Sequence, residues 1–418
     1  MTIKMLVISL LGLIFPASVL ANEGPSPKGI EAIDHVFVIM MENHGYKQII
    51  KNPNAPYINK LANTQRLATN YFGIGHPSLT NYLELVGGSN FGVQSDDNPD
   101  WHNNKCRPNL ITGISHTENP SNTPICPING MGKDAATPAI DTTNETHFTT
   151  GLNNIDGIKS IPQHSNISGK TIVDQLVSVN KSWKSYQQNL PLEGADRVNY
   201  SDGVFTNNTD FKKITPTLKT PLSPTDIVSL YAVKHNPFAY FKNIQTGNDP
   251  KLSLKNSVAF DGVNGLYADL ATGKVPNFAF IAPNQCNDQH GRSNGGQFCL
   301  YDPNNNGTQK GLNPALLQRA DNMIQRLVMA IKHSPTWNNT AKKSVIVIVW
   351  DENDYSVAPN INHVPAIVIS NTEGTNGKIS NRYYNHFSLL KTMESALGLP
   401  CLNHACDAHV QVMSDLFN

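Results

Sequence analysis

Charged residues are scarce in this chain. They make up 15% of 418 residues, with 32 acidic against 32 basic, so the formal net charge is zero. No surplus of lysine and arginine is available to track a phosphate backbone, which removes nucleic acid as an expected partner. Long hydrophobic runs are also missing: after the first two dozen residues nothing is long and apolar enough to span a bilayer. The chain has no H-E-x-x-H zinc-protease helix, no Walker A loop and no G-x-G-x-x-G. Cysteine is sparse too, with six in all, at 106, 126, 286, 299, 401 and 406. They are too dispersed for a C-x-x-C zinc site, and none lies in a nucleophile motif.

The opening "MTIKMLVISLLGLIFPASVLANEG" has a positive start at Lys4, a short apolar core and small residues ending at Ala21. That pattern predicts a secretory signal peptide over 1–21, cut after Ala21. The mature part, 22–418, then reads as one exported domain. An even cysteine count in an exported chain suggests disulfides, and 106–126, 286–299 and 401–406 are the simplest pairings.

Four apolar runs rich in β-formers follow: "HVFVIMM" (35–41), "NFAFIA" (277–282), "SVIVIVW" (344–350) and "VPAIVIS" (364–370). None alternates polar with apolar, so each fits a strand buried on both faces. Amphipathic segments at 57–68, 79–86, 171–179, 314–332 and 387–397 fit helices between them. The expected fold is α/β, a mostly parallel central sheet flanked by helices. Residues 89–165 and 196–225, rich in Asn, Gly, Pro and Thr, read as long loop insertions on its rim.

Polar residues follow three of these strands directly. Glu42, Asn43 and His44 come after the first, Asn284, Asp288 and His290 after the second, and Asp351, Glu352 and Asp354 after the third. In open α/β sheets ligands bind beyond the carboxyl ends of strands. Carboxylates gathered at one edge repel unless a cation neutralises them, so the set points to a divalent metal with oxygen ligands. Ser78, in "GIGHPSLTNYLELVGG", opens an apolar run with helical spacing. It fits a helix N-cap. It equally fits a nucleophile that a metal and a helix N-terminus would activate toward an anionic phosphoryl group. "GRSNG" (291–295) matches G-x-S-x-G formally, but no strand directly precedes Ser293 and no helix follows, so it is set aside.

Together "VFVIMMENHGY", "HPSLTNYLELVGG", "YAVKHNPFAYF", "FAFIAPNQCNDQHG", "VIVIVWDEND", "HVPAIVIS" and "YYNHFSLLKTMESALGLP" resemble, in order, the phosphoesterase family. That family includes phospholipases C and certain acid phosphatases, within the alkaline-phosphatase-like superfamily. The likeness is greatest to secreted, zinc-dependent phospholipases C of the Legionella type. The resemblance implies metal ligation by Glu42, Asn43, Ser78, Asp351, Glu352 and Asp288, with Ser78 as nucleophile in an S-x-x-N pattern completed by Asn81. It implies acid–base or phosphate-binding roles for His386 and His290, lesser ones for His363, and weaker ones for His76, His44 and His235. A divalent metal, Zn2+ by resemblance, is the expected cofactor. "DE" stands where two-metal members carry Asp-His, which favours one metal, or one tight and one loose, over a full two-zinc centre. The expected function is a secreted phospholipase C releasing diacylglycerol from phospholipids at a membrane or micelle surface. An acid phosphatase is the alternative.

Overall fold

The computed structural model describes residues 23–93, 96, 167–190, 231–291, 314–353, 361–372 and 377–418. The segment expected as a signal peptide lies outside them. So do most of both expected insertions, Asp354, Ser293, Cys106, Cys126 and Cys299.

The long apolar runs do form the middle of a sheet. β1 (His35–Met41), β5 (Phe278–Ala282) and β6 (Ser344–Trp350) lie side by side and parallel, with β1 between the other two. Every residue of β5 and β6 is buried, so both faces are covered. Each such Val, Ile or Phe side chain contributes about 1.5–3 kcal/mol on burial. A one-residue slip would move each side chain to the opposite face, so packing also fixes the register. β3 (Trp183–Gln187) and β4 (Ser257–Ala259) extend the parallel part beyond β5. On the other side, β7 (His363–Ser370) runs antiparallel to both β6 and β2 (Arg66–Phe72). The short strands β8 (Ile379–Ser380) and β9 (Tyr384–Asn385) pair with β2. The full order is β4-β3-β5-β1-β6-β7-β2-β8. This is the expected mixed α/β fold with a mostly parallel sheet.

Because β7 alone runs backwards, its first residue rather than its last lies where β1, β2 and β6 end. His363 pairs with Phe72, the last residue of β2. Asn362, just before it, stitches that edge together. Its carbonyl accepts from Gly73 N–H, its side-chain oxygen from Asn353 N–H at 2.7 Å, and its amide donates to Gly75 O at 2.9 Å. Gly73 has to be glycine there: a Cβ would collide with the Asp351 carbonyl oxygen.

The helix expected over 57–68 spans Pro56–Thr64, and the chain becomes strand at Arg66. The apolar spacing runs on through Leu67 and Ala68, but pairing with β7 outweighs it. Asp321 on the helix Pro314–His333 accepts from Tyr57 N–H at 3.0 Å and Ile58 N–H at 2.7 Å, capping the shorter helix. A carboxylate there meets free N–H groups and the positive end of the helix dipole. The helix Ser78–Gly87 packs on the helix His386–Leu397. Cys401 and Cys406 form a disulfide, the one expected pairing whose two cysteines are both described.

Candidate active site

Met41 and Trp350 are register partners at the ends of β1 and β6, so Glu42 and Asp351 emerge together. Backbone bonds continue the alignment: Asp351 N–H donates to Met41 O at 3.0 Å, and Glu42 N–H to Asp288 O at 2.9 Å. The turn after β5 thereby carries Asp288 to the same edge. Asn43 sits in the left-handed region at φ 51°, which turns its N–H onto Asp351 Oδ1 at 2.9 Å. Glu42, Asn43, Ser78, Asp288, Asp351 and Glu352 are all buried. Every residue expected to ligate a metal therefore reaches one end of the sheet.

Ser78 is the first residue of its helix, not the cap. Pro77 holds the cap position, and Thr80 Oγ1 turns back to Pro77 O at 2.8 Å. The Ser78 hydroxyl faces carboxylates instead. Its Oγ lies 3.0 Å from Glu42 Oε2 and 3.3 Å from Glu352 Oε1. One hydroxyl has one proton and can satisfy one of these acceptors at a time. Asp351 Oδ2 and Asn43 Oδ1 are buried with no hydrogen-bond partner. Buried acceptors left this way are rare and costly.

The electrostatics agree. Burial, then the neighbouring Asp351, pushes the Glu42 carboxyl well above the usual carboxylate range. Burial and Glu352 do the same to Asp351, and burial and Glu42 to Asp288. Such a cluster is stable in ionised form only with a cation among its oxygens. Among the described residues, His, Cys, Asp and Glu side chains alone form no three-ligand metal site. The fit needs a mixed set: Glu42 and Asp351 with the Asn43 amide oxygen and the Ser78 hydroxyl. Those donors suit a hard or borderline divalent ion.

Around this set the histidines divide by role. His76 Nδ1 lies 2.7 Å from Glu352 Oε2, and Asn81 Nδ2 donates to the same oxygen at 3.3 Å. Asn81 also accepts from Ile74 N–H at 2.8 Å and Gly75 N–H at 3.0 Å, which ties the turn after β2 to the serine helix. This gives S-x-x-N a physical meaning. His235 spans two carboxylates, with Nε2 at 3.0 Å from Glu42 Oε1 and Nδ1 at 3.4 Å from Asp288 Oδ2. Tyr82 stacks on that ring and donates its hydroxyl to Glu42 Oε1 at 2.5 Å. His290 is half-buried. Its Nδ1 meets Gly291 O at 2.9 Å, so Nδ1 carries the proton and Nε2 accepts from Lys234 Nζ at 3.5 Å.

His386 departs from expectation. Its Nε2 donates to the Asp351 carbonyl at 2.7 Å, and its Nδ1 accepts from Tyr71 OH at 3.0 Å. Burial pushes its pKa down to about 4. Neither nitrogen is free to protonate a leaving group. The ring is a neutral strut that fixes the Asp351 backbone. His363 is likewise occupied, stacked between Tyr46 and Phe72 with Nε2 on Thr69 O at 2.9 Å. His44 Nδ1 lies 3.2 Å from Glu42 O.

Three groups at this end of the sheet escaped the sequence reading. Lys234 Nζ, nearly fully buried, lies 3.5 Å from Ser78 Oγ and 2.9 Å from Asp96 Oδ2. A lone lysine beside histidine inside the apolar "YAVKHNPFAYF" is the signal that could have found it. Tyr82 read as helix core, and Asp96 sits in a polar loop that offers no signal at all.

The phosphoesterase family model matches residues 49–300 and 305–400. Curated relatives include a phosphate-repressible acid phosphatase from Penicillium chrysogenum, 24% identical over 92% of this chain and 64% of its own length. Another is an acid phosphatase from Aspergillus fumigatus, 24% identical over 62% of this chain and 37% of its own. The chain thus spans less than two thirds of either. A phosphatidylinositol-3-phosphatase from Mycobacterium tuberculosis is 22% identical over 92% of this chain and 84% of its own length. Among solved structures, an alkaline phosphatase superfamily protein from Vibrio parahaemolyticus aligns over 93% of this chain and 72% of its own, at 13% identity and a TM-score of 0.41. On the strength of the family match, which covers most of its length, the chain belongs to the phosphoesterase family.

Proposed function

We propose that the protein is a metal-dependent phosphatase that hydrolyses phosphomonoesters through Ser78. The observation that carries this reading is the Ser78 hydroxyl, buried and directed at Glu42 and Glu352, 3.5 Å from the Lys234 ammonium. The curated relatives named as acid phosphatases favour a monoester over the diester of a phospholipase C.

Glu42, Asn43, Asp351 and Ser78 would hold the divalent ion, Zn2+ by family likeness, which when bound supplies Lewis acidity and lowers the serine pKa. The chain's own groups do the rest. Glu42 or Glu352 takes the Ser78 proton, since each lies within hydrogen-bond reach of the hydroxyl in the resting arrangement. Tyr82 and His235 hold Glu42 Oε1, leaving Oε2 for the serine. His76 and Asn81 hold Glu352. Ser78 Oγ attacks phosphorus in line, and the ester oxygen leaves as the alcohol. Water then cleaves the phosphoserine and restores Ser78. His386 is committed elsewhere and His290 Nε2 accepts from Lys234, so the leaving oxygen takes its proton from water.

The test sets purified protein against p-nitrophenyl phosphate, a short-chain phosphatidylinositol 3-phosphate and phosphatidylcholine vesicles, each with and without chelator. Chelator-sensitive release of phosphate from the monoesters supports the proposal. Diacylglycerol from phosphatidylcholine would restore the phospholipase C reading in its place. No turnover of any would sink both.

A further inference from the structure

Lys234 and Asp96 form a buried ion pair beside the serine. Both side chains are nearly inaccessible. The Asp96 carboxylate is held at both oxygens: Oδ1 accepts from Leu79 N–H at 2.9 Å, and Oδ2 from Lys234 Nζ at 2.9 Å. Leu79 is the second residue of the serine helix, so its N–H has no partner within the helix and points out of its positive end. The two donors flank the reacting atom. One belongs to the residue next to Ser78, and the other lies 3.5 Å from Ser78 Oγ.

We infer that Lys234 Nζ and the Leu79 N–H form the seat for two phosphoryl oxygens, and that the Asp96 carboxylate is a built-in stand-in with which substrate competes. This rests on the proposed function and deepens it: Lys234 is a catalytic residue contacting the transferred group. Three features support it. A carboxylate with a donor on each oxygen imitates two oxygens of a phosphate. A cation here would meet charge that grows on those oxygens during attack, where stabilisation is worth most. And the cluster already holds Glu42, Glu352, Asp351 and Asp288, so another carboxylate among them is costly unless it fills a seat that must not stand empty. Removing Asp96 should therefore open the seat, whereas a purely structural ion pair would collapse on losing either partner.

The test measures inorganic phosphate binding by calorimetry on the full chain with saturating Zn2+, for wild type, Lys234→Met, Lys234→Arg and Asp96→Asn. Phosphomonoester turnover and thermal unfolding are recorded alongside. Lys234→Met should weaken phosphate binding by about 10- to 100-fold, the worth of one charge-assisted bond. Lys234→Arg should recover part of it. Asp96→Asn should tighten binding several-fold, because a neutral amide competes less well. The inference is overturned if Lys234→Met binds phosphate as wild type does, or if folded Asp96→Asn weakens it as much as Lys234→Met. Phosphate binding that depends on Lys234 in an inactive protein would keep the seat and discard the enzymatic reading. Turnover with phosphate affinity indifferent to Lys234 would do the reverse, and neither binding nor turnover would remove both.

Discussion

Replacing His386 with glutamine separates a strut from an acid. The imidazole is buried with both nitrogens in hydrogen bonds, and its pKa is pushed down from 6.5 to about 4. In the unfolded chain it titrates near its ordinary value. A histidine pKa depressed in the folded state stabilises the fold fully above the unfolded value. That stability is lost as pH falls through 6.5 toward the folded value, because only the unfolded chain takes up the proton. The depression of roughly 2.5 units, at about 1.4 kcal/mol each, makes this loss about 3 kcal/mol between pH 7 and pH 4. Glutamine can donate to the Asp351 carbonyl and accept from Tyr71 OH without titrating. Denaturant unfolding of both proteins in chelator, across pH 7 to 4, gives the double difference, in which the titration of the carboxylates common to both proteins largely cancels. The wild type should lose about 3 kcal/mol more than the variant. Parallel curves would refute the neutral, buried assignment. Loss of the acid limb of the pH–rate profile in His386→Gln would revive His386 as the proton donor.

Two further substitutions probe the supports. Tyr82→Phe removes the 2.5 Å bond to Glu42 Oε1 with almost no change of shape. It should weaken metal binding by about 10- to 100-fold and lower kcat with it, as read by metal titration against turnover. Glu394, buried on the helix His386–Leu397, accepts from Leu402 N–H at 2.9 Å, while its other oxygen has no partner. Burial raises its pKa well above 4.5, so its stabilising share is full only below 4.5 and falls away as pH rises through the folded value. Glu394→Gln keeps the acceptor and drops the charge. The variant should be more stable at pH 7, on the order of 1–3 kcal/mol, with the gain vanishing below about pH 4. An equal gain at both pH values would contradict the argument.

The centre of the fold was legible because its strands are buried on both faces. "HVFVIMM", "FAFIA", "SVIVIVW" and "HVPAIVIS" carry the pattern in their own residues. β2, β3 and β4 were not, because "RLATNYF", "WKSYQ" and "SVA" owe their conformation to partners far away in the chain. The same division runs through the site. Glu42, Asp351 and Asp288 follow readable strands, so their convergence could be expected from sheet topology. Ser78 was ambiguous in sequence, since a cap and a nucleophile use the same residue at nearly the same position. The fold separates the two readings by one residue, giving the cap to Pro77 and turning the hydroxyl toward Glu42. His386 meets a backbone carbonyl while His235 and His76 meet carboxylates, a division hidden in local sequence because which nitrogen meets which oxygen depends on tertiary placement. Lys234 and Asp96 meet across 138 positions, beyond any local pattern.

The central claim is that Ser78 is the atom that meets phosphorus. Acid-quenched turnover of p-nitrophenyl phosphate, followed by peptide mass spectrometry, tests it most directly. A phosphate adduct on Ser78 in the wild type, absent from an inactive but folded Ser78→Ala variant, is the predicted result. Full activity in Ser78→Ala, or an adduct on another residue, would contradict it.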